Sequence, residues 1–163
     1  MPPDGQLQPE AAPSWVRHVL VPADSSPASQ EGLALAAEVA HRTGARVTVV
    51  FVRHVPAGTF AAPTAVGGEI AQTLDEVEVE VRRRAAQVLD RAGIHWDLLV
   101  RSGSPGEEVL HAVKEVGANL VIIGSSQHSG VHNVLLGSTT VHITAHSPVP
   151  VLVARPTSGG PAA

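Results

Sequence analysis

Short apolar runs alternate with longer segments of helical period along most of this chain. Residues 18–22 and 120–123 are almost wholly apolar, as expected for strands that are buried on both faces of a sheet. Comparable runs cover residues 46–55, 94–101 and 148–153. Five such strands with helices between them predict an α/β domain built on a parallel sheet with right-handed crossover connections.

Capping and stop residues mark where the helices begin and end. Ser26, which is followed by a proline, predicts a helix over residues 27–43, and Gly44 is its stop signal. Residues 104–107 have the spacing of a capping box, so we expect another helix that ends near Gly117.

The segment from residue 69 to 92 contains two competing periods. Part of it alternates glutamate with valine, which alone indicates a strand. Over the whole segment, however, apolar residues recur at steps of three and four. The pairs Glu78–Arg82 and Glu80–Arg84 also have the i,i+4 spacing of helical ion pairs. The segment is therefore predicted to be a helix.

Composition limits the class of protein. The chain has 163 residues, of which 44% are hydrophobic and 16% charged, as in a globular domain. A formal net charge of −4, with Lys114 as the single lysine, argues against nucleic acid as a partner. No apolar stretch approaches the roughly 20 residues that span a bilayer, and residues 1–10 lack the features of a signal peptide. We therefore expect a cytoplasmic protein with no nucleic-acid or membrane partner.

The two ends of the chain differ in composition from the part between them. Residues 1–16 and 156–163 are rich in proline or small residues, so we expect flexible tails around one domain over residues 17–155. Within that domain, Pro150 cannot donate a hydrogen bond to a neighbouring strand. The last strand is therefore expected at an edge of the sheet.

Candidate binding residues follow the ends of two predicted strands. In doubly wound parallel sheets, ligands bind beyond the carboxyl ends of the strands, where the winding direction reverses. Asp24 follows the first strand, and Gly124 closes the fourth, where it is expected to let a ligand approach the main chain. Gly137 and Ser138 begin a helix predicted over residues 138–146, whose amides and dipole suit an anion.

Taken together, these features resemble the universal stress protein family over residues 17–155. The resemblance implies a Rossmann-like open parallel sheet of five strands in the order 3-2-1-4-5, with helices on both faces. It also implies a homodimer formed by antiparallel pairing of the fifth strand, with Val149, Val151, Leu152 and Val153 at the interface. The residues that carry the resemblance are 18–24, the strand that ends at Gly124, residues 135–138, and residues 147–155.

Nucleotide-binding members of that family carry the motif Gly-x2-Gly-x9-Gly-Ser/Thr and an aspartate that contacts the adenosine moiety. Carried over to this chain, Gly124 is the first glycine, Gly137 and Ser138 are the last pair, and Asp24 is the aspartate. The resemblance implies ATP or another adenine nucleotide as ligand, with no metal required and magnesium possible alongside ATP. The candidate nucleotide-binding residues are Pro22, Ala23, Asp24, Val52, Ile123, Gly124, Ser125, Gln127, His128, Gly137, Ser138, Thr139 and Thr140.

The phosphate loop departs from the family pattern at one position. Gln127 stands where the second glycine is expected, and its Cβ restricts the backbone conformation there. Two functions stay open: a regulatory module that binds an adenine nucleotide, or a protein–protein interaction dimer of the stress response that binds none.

His128 and His132 are the only titratable groups of residues 125–136, so we expect nucleotide affinity to rise from about pH 8 to about pH 6.

Enzymatic motifs are missing from the sequence. It contains neither the lysine-bearing phosphate loop of nucleotide hydrolases, nor a nucleophile elbow, nor HExxH. Asp24 is the only carboxylate near the predicted crevice, so we assign no catalytic residue and expect at most slow ATP hydrolysis. His142 and His146 have the i,i+4 spacing of zinc ligands, but residues 125–154 offer no carboxylate or cysteine as a third ligand. We therefore interpret them as surface histidines.

Overall fold

A computed structural model describes residues 15–55, 64–125 and 136–155. Strands and helices alternate over these residues, as the apolar pattern predicts. No helix in these ranges is long and apolar enough to cross a membrane. In chain order the elements are β1 (His18–Pro22), α1 (Pro27–Thr43), β2 (Arg46–Arg53), α2 (Thr64–Leu89), β3 (Trp96–Ser102), α3 (Pro105–Val116), β4 (Leu120–Gly124), α4 (Ser138–His146) and β5 (Val151–Ala154).

The strands form one parallel sheet in the order β3-β2-β1-β4-β5, which confirms the expected topology. From β1 the chain winds outward to β2 and β3, and then returns to place β4 on the other side of β1. Leu20 in β1 is accordingly aligned with Thr48 on one side and with Val121 on the other. The winding direction therefore reverses between β1 and β4, and this leaves a gap at their carboxyl ends.

Both faces of the sheet are covered by helices. Side chains alternate across a strand, so Val19 and Val21 pack on the opposite face to Leu20, and all three are fully buried. The Val19 face packs against α1 and α2, while the Leu20 face packs against α3 and α4. From the helices, the first core includes Leu33, Ala36, Val81, Ala85 and Leu89, and the second includes Val109, Ala112, Val113 and Ile143.

Helix α1 begins and ends at the predicted residues. The Ser26 hydroxyl accepts a hydrogen bond from the backbone N–H of Ser29 at 3.4 Å, and Pro27 occupies the first helical turn. Gly44 adopts a φ of 72° and donates its N–H to the carbonyl of Ala40. This left-handed conformation favours glycine, so the helix ends there.

The capping box predicted at α3 is wrong in detail, although the helix begins where expected. Ser104 caps the helix in position only, since its side chain makes no capping hydrogen bond. The Glu108 N–H donates to the Ser104 carbonyl at 2.9 Å, which is the first hydrogen bond of the helix itself. Gly103 precedes this turn with a φ of 145°, a conformation that side chains disfavour.

Helix α2 confirms the helical interpretation of its alternating segment and extends further toward the amino end than predicted. Glu80 pairs with Arg84 at 2.5 Å, as expected from their spacing. Glu78 does not pair with Arg82 but with Arg53 at the end of β2. Arg82 lies on the exposed face of the helix, whereas Glu78 is half-buried. The carboxylate of Glu78 is therefore reached by Arg53 and not by Arg82.

The last strand lies at the edge of the sheet, as Pro150 predicts. It is shorter than expected, however, and Val149 precedes it rather than forming part of it. The Pro150 carbonyl still accepts a hydrogen bond from the Val121 N–H at 3.0 Å, so pairing with β4 starts beside a residue that cannot donate.

Most of the expected tails, residues 1–14 and 156–163, lies outside the described residues. Val16 belongs to the range expected as the N-terminal tail, yet it is only 6% exposed and packs in the core beside β1.

Candidate functional site

A crevice of about 310 Å³ opens beyond the carboxyl ends of β2, β1 and β4. This volume lies at the lower end of the range, roughly 300–1,000 Å³, that is typical of small-molecule sites. The crevice lies where the winding direction of the sheet reverses, with the first turns of α1, α3 and α4 around it. The described residues that line it are Pro22, Ala23, Asp24, Ser26, Ala28, Ser29, Val50, Val52, His54, Pro105, Val109, Ile123, Gly124, Thr139 and Thr140.

Asp24 is held in a fixed position at the start of this crevice. Its Oδ1 accepts hydrogen bonds from the Ser26 N–H at 2.8 Å and from the Ser29 hydroxyl at 2.7 Å. The Ser29 hydroxyl in turn accepts the Asp24 N–H at 2.8 Å. The loop between β1 and α1 is thus tied to the first turn of the helix that follows it.

The Asp24 carboxyl is ionised at neutral pH. Burial opposes its ionisation, but hydrogen bonds from Ser26 and Ser29 and the charge of Arg84 outweigh that effect and lower its pKa. An ionised carboxylate has about four acceptor sites. Asp24 can therefore keep its internal hydrogen bonds and still accept hydroxyl or amine donors from a ligand.

Gly124 lines the crevice, and it is also required by packing, which the sequence alone did not predict. A Cβ at this position would overlap the carbonyl oxygen of Ala28 in the first turn of α1. One turn later in α1, a Cβ on Gly32 would lie 3.1 Å from the Gly124 nitrogen. The two backbones pack directly against each other, so the end of β4 determines where α1 and the Asp24 loop begin.

The first turn of α4 forms another wall of the crevice. Gly137 is the N-cap residue, and α4 runs over nine residues from Ser138. Thr139 and Thr140 both line the crevice, and Thr140 is buried. The leading N–H groups of a helix have no partner within it. This end of the crevice therefore suits an acceptor or an anion.

The wall near β2 and α3 is mainly apolar. Val50 and Val52 of β2 face Val109 of α3, and His54 continues the same strand face beyond Val52. The His54 Nδ1 lies 3.1 Å from the Gly103 carbonyl, to which it donates. This end of the crevice therefore suits a flat apolar group, with one polar side chain at its border.

The family model that matches this chain is that of the universal stress protein family, and the match covers residues 16–155. The chain belongs to the universal stress protein family. Among curated relatives, it is 27% identical over 144 residues to the universal stress protein YxiE of Bacillus subtilis, covering 84% of this chain and 97% of YxiE.

Solved structures of other universal stress proteins share the fold. UspA of Lactobacillus plantarum superimposes with a TM-score of 0.72 at 24% identity, covering 87% of this chain and 99% of UspA. A universal stress protein in complex with cAMP gives 0.66 at 19% identity, with 86% and 98% covered. The protein from Archaeoglobus fulgidus in complex with dAMP gives 0.60 at 18% identity, also with 86% and 98% covered. At these identities the likeness establishes the fold alone.

The crevice of this universal stress protein brings together eight of the residues expected at a nucleotide site. Ser125 is not among them: its hydroxyl and its N–H both donate to the Ala154 carbonyl at 2.9 Å, so it joins β4 to β5. Gly137 and Ser138 start α4 but do not line the described crevice, and Gln127, His128 and His132 lie outside the described residues. The eight are Pro22, Ala23, Asp24, Val52, Ile123, Gly124, Thr139 and Thr140.

Several lining residues were missed by reasoning from sequence. A signal existed for His54, which is two residues after Val52 and therefore on the same face of the strand. A signal also existed for Ser29, which is three residues after the cap Ser26. Nothing in the sequence predicts Pro105 and Val109, because only the tertiary packing of α3 brings them to the crevice. The missed residues are Ser26, Ala28, Ser29, Val50, His54, Pro105 and Val109.

The two histidines of α4 stack on each other. The rings of His142 and His146 lie 4.5 Å apart between centroids, at 29°. The His146 Nδ1 donates to the His142 carbonyl at 2.9 Å. His142 also packs so closely on Gly106 that a Cβ there would lie 2.6 Å from the ring. Within the described ranges no group of three or more potential ligands could hold a metal ion.

Proposed function

We propose that this universal stress protein is a cytoplasmic regulatory module that binds an adenine nucleotide in the crevice and signals its occupancy to partner proteins. The observation that carries the proposal is the arrangement around that one crevice. An ionised carboxylate, an apolar wall and the first turn of a helix surround it. These three features match a ribose, a base and a phosphate.

Each part of the nucleotide has a counterpart among the lining residues. The Asp24 carboxylate accepts hydrogen bonds from the ribose hydroxyls. The base packs on Val50, Val52 and Val109. The phosphate lies toward the first turn of α4, beside Thr140, where backbone N–H groups are free of helical hydrogen bonds.

Two structural neighbours support this choice of ligand, because they are universal stress proteins in complex with cAMP and with dAMP. Both ligands are adenine nucleotides. We assign no catalytic role to these residues. Asp24 is the only carboxylate among the described lining residues, so no second carboxylate is present there to act as its partner in acid–base catalysis.

Purified protein provides the test. We expect AMP, ADP or ATP to raise the melting temperature, and calorimetry to give a single site per chain. Asp24→Ala is expected to weaken binding by about tenfold or more, as hydrogen bonds to a charged group are lost. Glu38→Gln, which removes an exposed carboxylate on α1, is the matched control and should bind like the parent. No thermal shift and no heat with any of the three nucleotides would refute the proposal.

The alternative is a stress-response interaction dimer that binds no nucleotide, and Gln127 is the residue that favours it. Gln127→Gly restores the glycine expected in the family motif. If only this variant binds nucleotide, the parent has lost the function and the interaction protein is the better description. If both bind, the side chain at residue 127 does not block the site.

We also propose that the protein forms a homodimer through β5. Among the described residues, the strand is the outermost of the sheet and pairs only with β4 on its inner side. Leu152 is 41% exposed, while Val151 and Val153 are half-buried against the core. A second copy of the strand would satisfy the unpaired backbone groups and cover Leu152, together with Val149 beside it.

A further inference from the structure

His54 is held in place at the border of the crevice, although the residue is exposed. Its Nδ1 lies 3.1 Å from the carbonyl oxygen of Gly103, in the turn between β3 and α3. The N–H of Gly103 in turn donates to the carbonyl of Arg53 at 3.2 Å. Both backbone polar groups of Gly103 therefore bind the end of β2, and the imidazole ring has a fixed partner on one side.

The hydrogen bond to Gly103 determines which nitrogen of the neutral ring carries the proton. A carbonyl oxygen can only accept a hydrogen bond, so the proton lies on Nδ1. The other nitrogen of a neutral imidazole then has a free lone pair and acts as an acceptor. Histidine side chains are largely neutral at pH 8, and a neutral His54 presents an acceptor at Nε2.

The Nε2 atom of His54 has no partner within the described part of the chain. His54 lines the crevice whereas Gly103 does not, so the ring edge with Nδ1 is turned toward a residue outside the crevice. The lone pair on Nε2 is therefore left for a donor on a bound molecule.

The wall beside His54 offers a ligand no other polar side chain among the described residues. On β2 it consists of Val50 and Val52, and on α3 of Pro105 and Val109. The remaining polar side chains of the described lining belong to the β1–α1 and α4 sides of the crevice. A base that packs on the valines therefore meets a single described polar side chain on this wall, and that side chain accepts a hydrogen bond.

We infer that His54 reads the base of the bound nucleotide and selects a purine with an amino group at C6. The inference rests on the nucleotide-binding function proposed above and names a specificity residue of that site. The amino group of adenine donates to Nε2. Guanine and hypoxanthine carry an oxygen at C6 instead, which places one acceptor against another with no proton to share. That mismatch costs binding free energy.

The test is calorimetry at pH 8 with three ligands that differ only in the base. They are AMP, IMP and the 5′-monophosphate of purine riboside, which has hydrogen at C6. Ribose and phosphate are the same in all three, so their contacts cancel in the comparison. We expect AMP to bind about tenfold more tightly than IMP, because a hydrogen bond is replaced by two facing acceptors. The purine riboside nucleotide should bind about three- to fivefold more weakly than AMP, since it loses the donor but adds no repulsion.

His54→Asn separates recognition of the base from support of the turn. Asparagine carries its amide nitrogen as many bonds from the main chain as Nδ1, so it can keep the hydrogen bond to Gly103, but it has no atom in place of Nε2. We expect the melting temperature without ligand to stay at the parent value, and the AMP preference over IMP to fall to about twofold or less. His41→Asn replaces an exposed histidine in the last turn of α1, outside the described lining, and should keep the parent ratio.

The outcomes separate base recognition from nucleotide binding. If IMP or the purine riboside nucleotide binds the parent as tightly as AMP, or more tightly, the inference is wrong while nucleotide binding stands. An AMP preference that persists in His54→Asn would also overturn it, because a residue that only supports the turn predicts that result. If none of the three ligands binds, the nucleotide-binding function fails, and base recognition fails with it.

Discussion

At Gly124 two backbones lie closer together than any side chain would permit. The Ala28 carbonyl occupies the place of a Cβ, and this contact joins the end of β4 to the first turn of α1. The sequence predicts that this glycine lets a ligand approach the main chain. On that basis alone, Gly124→Ala would weaken ligand binding and leave stability unchanged. The structure predicts an effect on the free energy of unfolding as well.

Gly124→Ala is therefore expected to lower the free energy of unfolding by about 1–3 kcal/mol, the usual cost of overpacking. Gly67→Ala is the matched control, because nothing lies within 4 Å of the added methyl group and the residue is in helix α2. That change should be neutral or stabilise by up to about 1 kcal/mol. Urea denaturation measures both. Equal stability of the two variants would show that α1 can move away from β4 without cost.

His18 is a buried histidine at the opposite end of β1 from the crevice. Its Nδ1 donates to the Val116 carbonyl at 3.1 Å, and its Nε2 lies 2.8 Å from the Thr48 hydroxyl. Burial, followed by the charge of Arg46, lowers the pKa of His18, and the Val116 carbonyl and Asp97 offset this only in part. The folded protein therefore favours the neutral ring.

A lowered histidine pKa makes stability depend on pH in a defined direction. The unfolded chain takes up the proton near pH 6.5, whereas the folded chain resists it. Stability from His18 is therefore present above pH 6.5 and is lost as the pH falls toward the lower folded pKa. We expect the melting temperature of the parent to fall more steeply from pH 7 to pH 5 than that of His18→Gln. His41→Gln, at an exposed histidine, should keep the parent slope, and equal slopes for parent and His18→Gln would contradict the assignment.

Among the elements, α2 is connected to the border of the crevice by the interactions of two arginines. Arg53 at the end of β2 pairs with Asp75 and Glu78 of this helix. From the helix, Arg84 reaches back to donate to the Ser25 carbonyl at 2.7 Å, next to Asp24. The helix thereby contacts the residues that follow both β1 and β2.

Arg84→Gln should loosen the loop that carries Asp24. We expect faster hydrogen–deuterium exchange at residues 24–26 and a loss of about 1 kcal/mol in stability. Arg83→Gln is the matched control: Arg83 shares Glu80 as its partner, at 2.7 Å, but makes no described contact with the loop. If the two variants exchange alike at residues 24–26, the Ser25 contact does not hold the loop.

Glu80 shows why this control is informative. Hydrogen bonds from Arg83 and then Arg84 lower the pKa of Glu80 to about 2, so it is ionised in both variants and loses one partner in each. Any difference between the variants therefore comes from what Arg84 alone provides to the loop, namely its hydrogen bond to the Ser25 carbonyl and its charge near Asp24.

The elements themselves could be predicted from sequence because their signals are local. An apolar run such as residues 120–123 and a serine followed by proline at residue 26 need no tertiary information. The features that could not be predicted depend on contacts between elements. Glu78 takes a partner from β2 instead of its own helix, and the packing of Gly124 against a carbonyl in α1 has no signal in the sequence. The same holds for the site: Asp24 could be predicted from its place after β1, whereas Val109 required the packing of α3.

For the whole molecule, the open edge of the sheet at β5 is where we propose that two copies associate. The other edge is β3, and it is longer, with Arg101 and Asp97 among its residues. Charged side chains on an edge strand disfavour pairing with another chain. The apolar β5 edge is therefore where pairing is expected.

Leu152→Lys is expected to convert the proposed dimer into a monomer, since it places a charge at the proposed interface. Light scattering at micromolar concentration measures the mass. The matched control is Val79→Lys, which changes a valine that is 67% exposed on α2, away from β5. A parent that is already monomeric, or a Leu152→Lys variant that stays dimeric, would rule out this interface.

The direct contact of Gly124 with Ala28 has a consequence for protein engineering. The residue after Gly124 is bound to β5, because the Ser125 hydroxyl and N–H both donate to the Ala154 carbonyl. Shifting α1 to enlarge the crevice would therefore disturb the strand at the proposed dimer interface. Libraries for altered ligand preference should leave residues 28, 32, 124 and 125 constant, and vary the β2 and α3 side of the pocket instead.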